Sequence, residues 1–450
     1  MSDTTQPVVT RIAPSPTGEM HIGTVRTALF NYLFAKKHGG TYFVRIEDTD
    51  KERNKEEWVD AIWRDFEWCG LMPDKRSRTS EHLDRHRELL RGLVEKDTAY
   101  VSSEPAKDDP ERTVELVRLR NPGKELTFDD LVRGPITFDT TELGDFVIAR
   151  SIDDPLYHFA VVADDGDEGV THVLRAEEHI SNTPRQILIQ EALGFPRPVY
   201  GHLPLILAPD RSKLSKRKHG ASIENYRSQG FLPTAIINYL ALLGWNPGTD
   251  QEIFSLTELI DVFSIDGVQK GGAVFDVQKL EWFNKEYLLK LDSHEYQHMV
   301  RNALPMEIAE LPQFDEERLQ RLLPVIRERV HTMKEVAEAA QAGEYDFAFA
   351  APHPDADLLK WKKDATAADA IPRLQRAAEI LHEADFSSAE TVKDALWPYA
   401  EEIGRGELLW PLRVSLTGRK ESPDPFVCAF IIGREETLAR IEKACDTIGR

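Results

Sequence analysis

Two short stretches concentrate side chains suited to phosphate chemistry. The first reads Arg11-Ile12-Ala13-Pro14-Ser15-Pro16-Thr17-Gly18-Glu19-Met20-His21-Ile22-Gly23-Thr24. Its last residues open a helical pattern, and a helix N-terminus offers free N–H groups and a positive dipole end to a phosphate. His21 can donate to an anionic oxygen there, and Gly23 has no side chain to obstruct a nucleotide. Taken alone, a structural histidine is the plainer reading of His21. The second stretch, Arg211-Ser212-Lys213-Leu214-Ser215-Lys216-Arg217-Lys218-His219-Gly220, holds five cations within eight residues. Such a loop can clamp a triphosphate and stabilise charge on a departing pyrophosphate. A solvated basic face is the competing reading of the run by itself.

These groups need elements to position them. Val8 to Ala13 alternates and is β-rich, and Pro14, Pro16 and Gly18 stop it. Thr24 to Lys37 places apolar groups at Val25, Ala28, Leu29, Tyr32 and Leu33, a helical period, and Thr41 to Ile46 is a second strand. Strand, loop, helix and strand make a βαβ unit, so a parallel sheet is predicted at the N-terminus. Amphipathic helices are predicted over Glu56–Trp68 and Glu81–Lys96. Between Thr98 and Asp145 the period weakens, and Pro105, Pro110, Pro122 and Pro135 point to an insertion of short strands and loops. Strand patterns return at Phe146–Ala149 and Val170–Leu174, followed by a helix over Thr183–Leu193. After Pro233 the pattern is mainly helical, with long amphipathic stretches such as Glu316 to Ala340 and a closing helix from Glu435 to Ile448.

The two stretches resemble the paired signatures of class I aminoacyl-tRNA synthetases. His21-Ile22-Gly23-Thr24 is similar to "HIGH", and Lys213-Leu214-Ser215-Lys216-Arg217 is similar to "KMSKS". Within that class the chain resembles the bacterial-type glutamyl-tRNA synthetases. Arg11 to Gly18 reads RIAPSPTG, where glutaminyl enzymes tend to read RFPPEPNG. Arg45 to Asp50 reads RIEDTD, Arg175 to Glu178 reads RAEE, and Tyr157-His158-Phe159-Ala160 is similar to the "YH-A" segment. The likeness continues through Gly230–Pro233 and Gly271–Asp276 and reaches the C-terminal helices.

The resemblance implies an α/β Rossmann-type parallel-sheet catalytic domain with an inserted acceptor-binding domain, followed by an all-α C-terminal anticodon-binding region. The expected divisions are 1–95 and 166–230 for the catalytic halves, 96–165 for the insertion, 231–291 for stem contact and 292–450 for the anticodon region. It implies ATP-dependent formation of glutamyl-adenylate and transfer to the terminal ribose of tRNA(Glu), with activation requiring bound tRNA. Glutamate carries two carboxylates and one ammonium, so its pocket needs two cationic groups and one anion. Arg11 and Arg175 supply planar forks, and the resemblance puts Arg11 and Tyr157 on the side-chain carboxylate and Arg175 on the α-carboxylate. Glu47 would take the ammonium with Ser15, and Ala13 completes the pocket. His21, Gly23, Glu178, His179, Ile206 and Lys216 would hold ATP, with His21, Thr24, Lys213 and Lys216 acting in catalysis. ATP is expected as substrate with Mg2+. The reaction would be in-line attack of the α-carboxylate on the α-phosphate, driven by positioning and electrostatics. Arg327 and Arg329 are the expected anticodon readers, Arg329 matching the arginine by which discriminating relatives reject the glutamine anticodon.

Three departures stand out. Thr24 occupies the place of the signature's second histidine, and Val161 the place of an asparagine in some relatives. The insertion has no cysteine, with Tyr100-Val101-Ser102-Ser103 in the zinc-binding region of some relatives, so no structural zinc and no other resident metal is predicted.

Composition sets looser bounds. A chain of 450 residues exceeds what one core serves, so two to four domains are expected. Its charge of −21 argues mildly against a polyanionic partner, although local basic surfaces are screened from distant carboxylates over about 8 Å. Cys69, Cys428 and Cys445 form no CxxC pair, which suits a reducing, cytoplasmic location. No apolar run is long enough for a bilayer, and a monomer is expected. Competing readings are the shortened paralogue that glutamylates a tRNA base, a glutaminyl enzyme, a small-molecule nucleotidyltransferase, a silent tRNA-binding relative and a non-discriminating enzyme that also charges tRNA(Gln).

Overall fold

A computed structural model of the chain describes residues 7–50, 52–106, 111–215, 218, 220–311 and 314–449. It divides into two compact units, 1–283 and 284–450.

The first unit is built on a seven-stranded sheet. Strands β1 (Val9–Ile12), β2 (Thr41–Ile46) and β3 (Lys75–Arg78) lie to one side of the chain's starting point. Later strands β10 (His172–Ala176) and β11 (Val199–Leu203) lie to the other. The order β3-β2-β1-β10-β11 is parallel throughout, and the chain winds outward from β1 in one sense to β2 and β3 and in the opposite sense to β10 and β11. A crevice opens at such a switch point, outside the carboxyl ends of the strands, and it is where ligands bind in open α/β sheets. Helix α1 (Ile22–Lys37) connects β1 to β2 and is buried on most of its surface, polar Arg26, Thr27 and Asn31 included. Asn31 is held by its Nδ2, which donates to the Leu174 carbonyl of β10 at 2.9 Å. Helices α2 (Glu56–Trp68) and α3 (Leu83–Glu95) follow; α2 opens with Glu56 and Glu57, which favour its positive end.

Residues 96–165 are shared between two structures. Strands β4 (Ala99–Pro105), β5 (Thr113–Leu119), β8 (Phe146–Ser151) and β9 (Asp154–Pro155) form a separate antiparallel sheet. The hairpin of β6 (Glu125–Asp130) and β7 (Gly134–Asp139) instead joins the main sheet, with Asp130 of β6 opposite Tyr200 of β11. Helix α4 (Tyr157–Asp167) runs across position 165. Its sequence, with two valines, three aspartates and a glycine in eleven residues, has weak helix propensity and gave no helical signal. Helix α5 (Thr183–Leu193) keeps its predicted ends and is closed by Gly194 in the left-handed conformation, φ 76°.

The second unit is helical. The stretch Glu316 to Ala340, expected as one run, divides into Glu316–Arg329 and Met333–Gln341. Thr332 makes the break, its side chain accepting from the Glu335 N–H as an N-cap. The closing helix spans Arg434–Gly449. Among the described residues, no helix is long and apolar enough to cross a membrane.

Candidate active site at the sheet switch point

A cavity of about 480 Å³ lies at the crevice between β1 and β10. Most of the residues singled out from sequence line it. Arg11, Ala13 and Ser15 come from the end of β1 and its loop, and His21, Gly23 and Thr24 from the start of α1. Tyr157 opens α4, Arg175 ends β10, and Glu178, His179, Ile206 and Lys213 complete the wall. Glu47 lines the adjoining depression, which shares Ser15 and Tyr157 with this cavity. Lys216 lies outside the described residues, as do Arg217 and His219 of the same loop.

His21 caps α1, with its Nδ1 accepting from the Gly23 N–H at 2.9 Å. In the neutral ring the proton then sits on Nε2. A Cβ at Gly23 would come within 2.9 Å of that same Nδ1, so glycine is what lets the ring fold back over the helix start. Opposite, Lys213 pairs with Glu178, and its side chain is 61% exposed. The stretch from Ile206 to Leu214 folds on itself: Leu214 N–H donates to the Ile206 carbonyl at 3.1 Å, and Ala208 N–H to Ser212. This places Lys213 at the cavity's rim. Burial, reinforced by the Arg175 charge, holds His179 down at about 4, leaving a neutral ring in the wall.

The two arginines are supported differently. Arg11, 5% exposed, meets Asp165 edge to edge: Nε donates to Oδ1 at 3.1 Å and Nη2 to Oδ2 at 2.8 Å. That pairing occupies the side edge of the guanidinium and, among the described residues, leaves the end edge, with Nη1, for a second planar acceptor. Tyr157, Val161 and Asp165 are spaced at 0, 4 and 8 along α4 and therefore share one face. Behind Asp165 stands Arg45, fully buried, which pairs with Asp165 at 2.7 Å, with Asp164 at 3.4 Å and with Glu168. Burial alone would raise the Asp165 carboxyl, but Arg11 and Arg45 outweigh it and hold it below the ordinary carboxylate value.

Among the described residues, Arg175 has only neutral hydrogen-bond partners. Its Nε donates to His202 Nε2 at 3.1 Å, Nη1 to Gln186 Oε1 at 2.6 Å, and Nη2 to Thr183 Oγ1 at 2.8 Å. Its guanidinium also lies 5.4 Å from the centre of the Tyr200 ring. Among the described residues no carboxylate pairs with it, although it is 6% exposed, and burial lowers its pKa. A buried cation without a counter-charge, facing a cavity, is a fitting partner for an anionic ligand. The Glu47 carboxyl is buried as well, and burial pushes it up to about 7 against the opposing pull of the Arg45 charge and a Thr49 hydrogen bond.

Sequence reading missed Arg26, Asp165 and Arg45 as parts of the site. Arg26 lines the cavity and is anchored to the Leu243 and Pro204 carbonyls. A cation inside an otherwise apolar helix pattern was a usable signal for Arg26, whereas nothing local marks Asp165. Among the described residues, only His82, His86 and Asp164 gather three ligand-type atoms, all within 4.8 Å. Both imidazoles contact Asp164 Oδ1, at 3.0 and 2.6 Å, and Arg45 covers Oδ2. These contacts form a polar network braced by a cation.

In the second unit, Arg327 donates to the Leu291 carbonyl at 3.1 Å and covers the Tyr296 ring at 4.1 Å, so it braces the fold. Arg329 is half-exposed and lines a small cavity with Glu344, Arg419 and Ser422.

A parallel sheet with a cation-rich cavity at its switch point defines a nucleotide-binding α/β enzyme class, and comparison with known proteins narrows it. The model described as tRNA synthetases class I (E and Q), catalytic domain, matches residues 7–115 and 104–282. The model described as anticodon binding domain matches residues 295–445. Glutamate–tRNA ligase 1 of Caldanaerobacter subterraneus subsp. tengcongensis is 37% identical, over 96% of both chains. Glutamate–tRNA ligase of Carboxydothermus hydrogenoformans is 38% identical over 96% of this chain and 98% of its own. The crystal structure of a glutamate tRNA ligase from Elizabethkingia meningosepticum, in complex with its amino acid, superposes with a TM-score of 0.86 at 30% identity, covering 98% of this chain and all of that one. The chain belongs to the glutamate–tRNA ligase family of class I tRNA synthetases.

Proposed function

We propose that the chain activates L-glutamate with ATP and Mg2+ and transfers it from glutamyl-adenylate to tRNA(Glu). The observation that carries the choice of amino acid is Arg175, a buried cation with neutral partners, beside Arg11 on the neighbouring strand. Arg11, through its free end edge, and Tyr157 take the side-chain carboxylate, and Arg175 takes the α-carboxylate. Glu47 with Ser15 takes the ammonium. His21, Gly23, Glu178, His179 and Ile206 hold the nucleotide, with Thr24, Lys213 and Lys216 assisting on the phosphates. Arg329 reads the anticodon, and the chain works as a monomer in the cytoplasm. The boundaries 1–95, 96–165, 166–230, 231–291 and 292–450 are carried forward as functional regions. The helical second unit favours this reading over the shortened paralogue, which ends near the catalytic domain.

ATP–pyrophosphate exchange with and without tRNA(Glu) tests the function. Exchange that needs glutamate and tRNA(Glu) together is the expected result. Exchange without tRNA removes the tRNA requirement, and no exchange in either case marks a silent tRNA-binding relative.

A further inference from the structure

Three adjacent strands carry a chain of buried polar groups that ends on Arg175. Asp130 stands at the end of β6, His202 on β11 and Arg175 on β10, with Arg175 and His202 directly paired in the sheet register. His202 is fully buried. Its Nδ1 lies 2.6 Å from Asp130 Oδ2, and its Nε2 lies 3.1 Å from Arg175 Nε. A guanidinium can only donate, so Nε2 must accept, and the single ring proton must lie on Nδ1 against Asp130. The other carboxylate oxygen, Asp130 Oδ1, accepts from the N–H groups of Val132, Arg133 and His202 at 3.0, 2.9 and 3.2 Å. One carboxylate therefore shapes the turn of the β6–β7 hairpin and fixes the histidine tautomer. Burial lowers the His202 pKa while Asp130 pulls it back, consistent with a neutral ring.

We propose that Asp130 and His202 are positioning residues for glutamate binding: Asp130 fixes the Nδ1–H tautomer of His202, whose Nε2 lone pair, together with Gln186 Oε1 and Thr183 Oγ1, holds the Arg175 guanidinium in place at the cavity wall. The proposal rests on the assignment of Arg175 to a glutamate carboxylate. Asp130→Asn isolates it. The amide oxygen can keep the three backbone bonds, while the new NH2 group faces Nδ1 and forces the proton to Nε2. That proton can reach Thr183 Oγ1, 3.2 Å away, but it faces the Arg175 Nε–H donor to donor. His202→Phe keeps a ring and removes both the lone pair and the clash.

The test is aminoacylation of tRNA(Glu) by the full chain, with KM for glutamate and for ATP measured separately. Asp130→Asn is expected to raise glutamate KM about 10-fold or more, as loss of a charge-assisted hydrogen bond would, with ATP KM within about twofold. His202→Phe is expected to raise it less, and Asp130→Asn added to His202→Phe to change little further, because the two act through one chain. Arg175→Ala separates the assumptions. If it leaves glutamate KM unchanged, the assignment of Arg175 fails. If it raises glutamate KM while Asp130→Asn does not, the relay alone is overturned. Should Asp130→Asn not fold, 15N NMR of the His202 ring in the unaltered protein decides. A proton on Nδ1 alone supports the relay, and a proton on Nε2, alone or with Nδ1, overturns it.

Discussion

Arg11 and Asp165 are joined through two parallel hydrogen bonds, 3.1 Å at Nε and 2.8 Å at Nη2, between the first strand and the far end of α4. The pair is buried, and Arg45 ties Asp165 to the next strand. Asp165→Asn leaves the shape and removes the charge that orients both cations. Disrupting a buried pair of this kind costs about 3–5 kcal/mol. A thermal melt should show that loss, together with a glutamate KM raised at least about 10-fold. Unchanged stability and KM would mean that Arg11 orients itself without Asp165.

Glu47 gives the site a pH signature. Its carboxyl sits at about 7 in the folded chain against an ordinary 4.5. Between those values the folded state keeps a proton that the unfolded state has released, so stability declines as pH rises through this window. The full shift corresponds to about 3 kcal/mol. Glu47→Gln should flatten that slope in denaturant titrations at pH 5 and pH 8. Binding of the ammonium needs the ionised form, so kcat/KM for glutamate should rise as pH increases through about 7. An acid limb that survives in Glu47→Gln would assign the titration to another group.

Lys213 is mostly exposed and paired with Glu178, so its removal should change stability by less than about 1 kcal/mol. Its proposed work is on the phosphates. Lys213→Ala is expected to slow pyrophosphate exchange about 100-fold, the scale of losing one electrostatic contact to a developing charge, with glutamate KM unchanged. A reduced melting temperature with normal exchange would make Lys213 structural.

Gly23→Ala puts a methyl group 2.9 Å from His21 Nδ1. Alanine favours a helix, so the fold should persist. The displaced imidazole should raise ATP KM several-fold and leave glutamate KM alone, as steady-state exchange kinetics would reveal.

Arg329→Ala should leave tRNA-dependent activation with tRNA(Glu) within about threefold, because the proposed work of this residue is to reject the tRNA(Gln) anticodon, a base-edge discrimination worth about 1–3 kcal/mol. What it should change is choice: charging of tRNA(Gln) should rise relative to tRNA(Glu). An unchanged ratio would remove Arg329 from anticodon reading.

The elements that carry the site were legible because their patterns are local. Thr41–Ile46, Glu56–Trp68 and Thr183–Leu193 have the same bounds in sequence and structure, each a run with one clear period and a marked stop. The residues at the ends of β1 and β10 that line the cavity lie in short motifs that stand out through their resemblance to a known family. What sequence could not supply was pairing at a distance. Asp165 lies 154 positions from Arg11, and Asp130 lies 72 from His202, so no local period marks either contact. Helix α4 was missed for a related reason: its Asp and Gly residues disfavour a helix locally, and burial of Phe159 to Asp165 against the sheet overrides that preference. The hairpin Glu125–Asp139 reads as part of an insertion but completes the main sheet, because the partner that claims it is a strand some 70 residues later.

The proposed selection of glutamate rests on the end edge of the Arg11 guanidinium, and Arg11→Ala removes it. The measurement is aminoacylation kinetics alongside binding of tRNA(Glu) to the same variant. Charging should fall to background at ordinary glutamate concentrations, with tRNA affinity within about twofold. Charging at the unaltered rate would contradict the assignment of Arg11 to the side-chain carboxylate and, with it, the pocket.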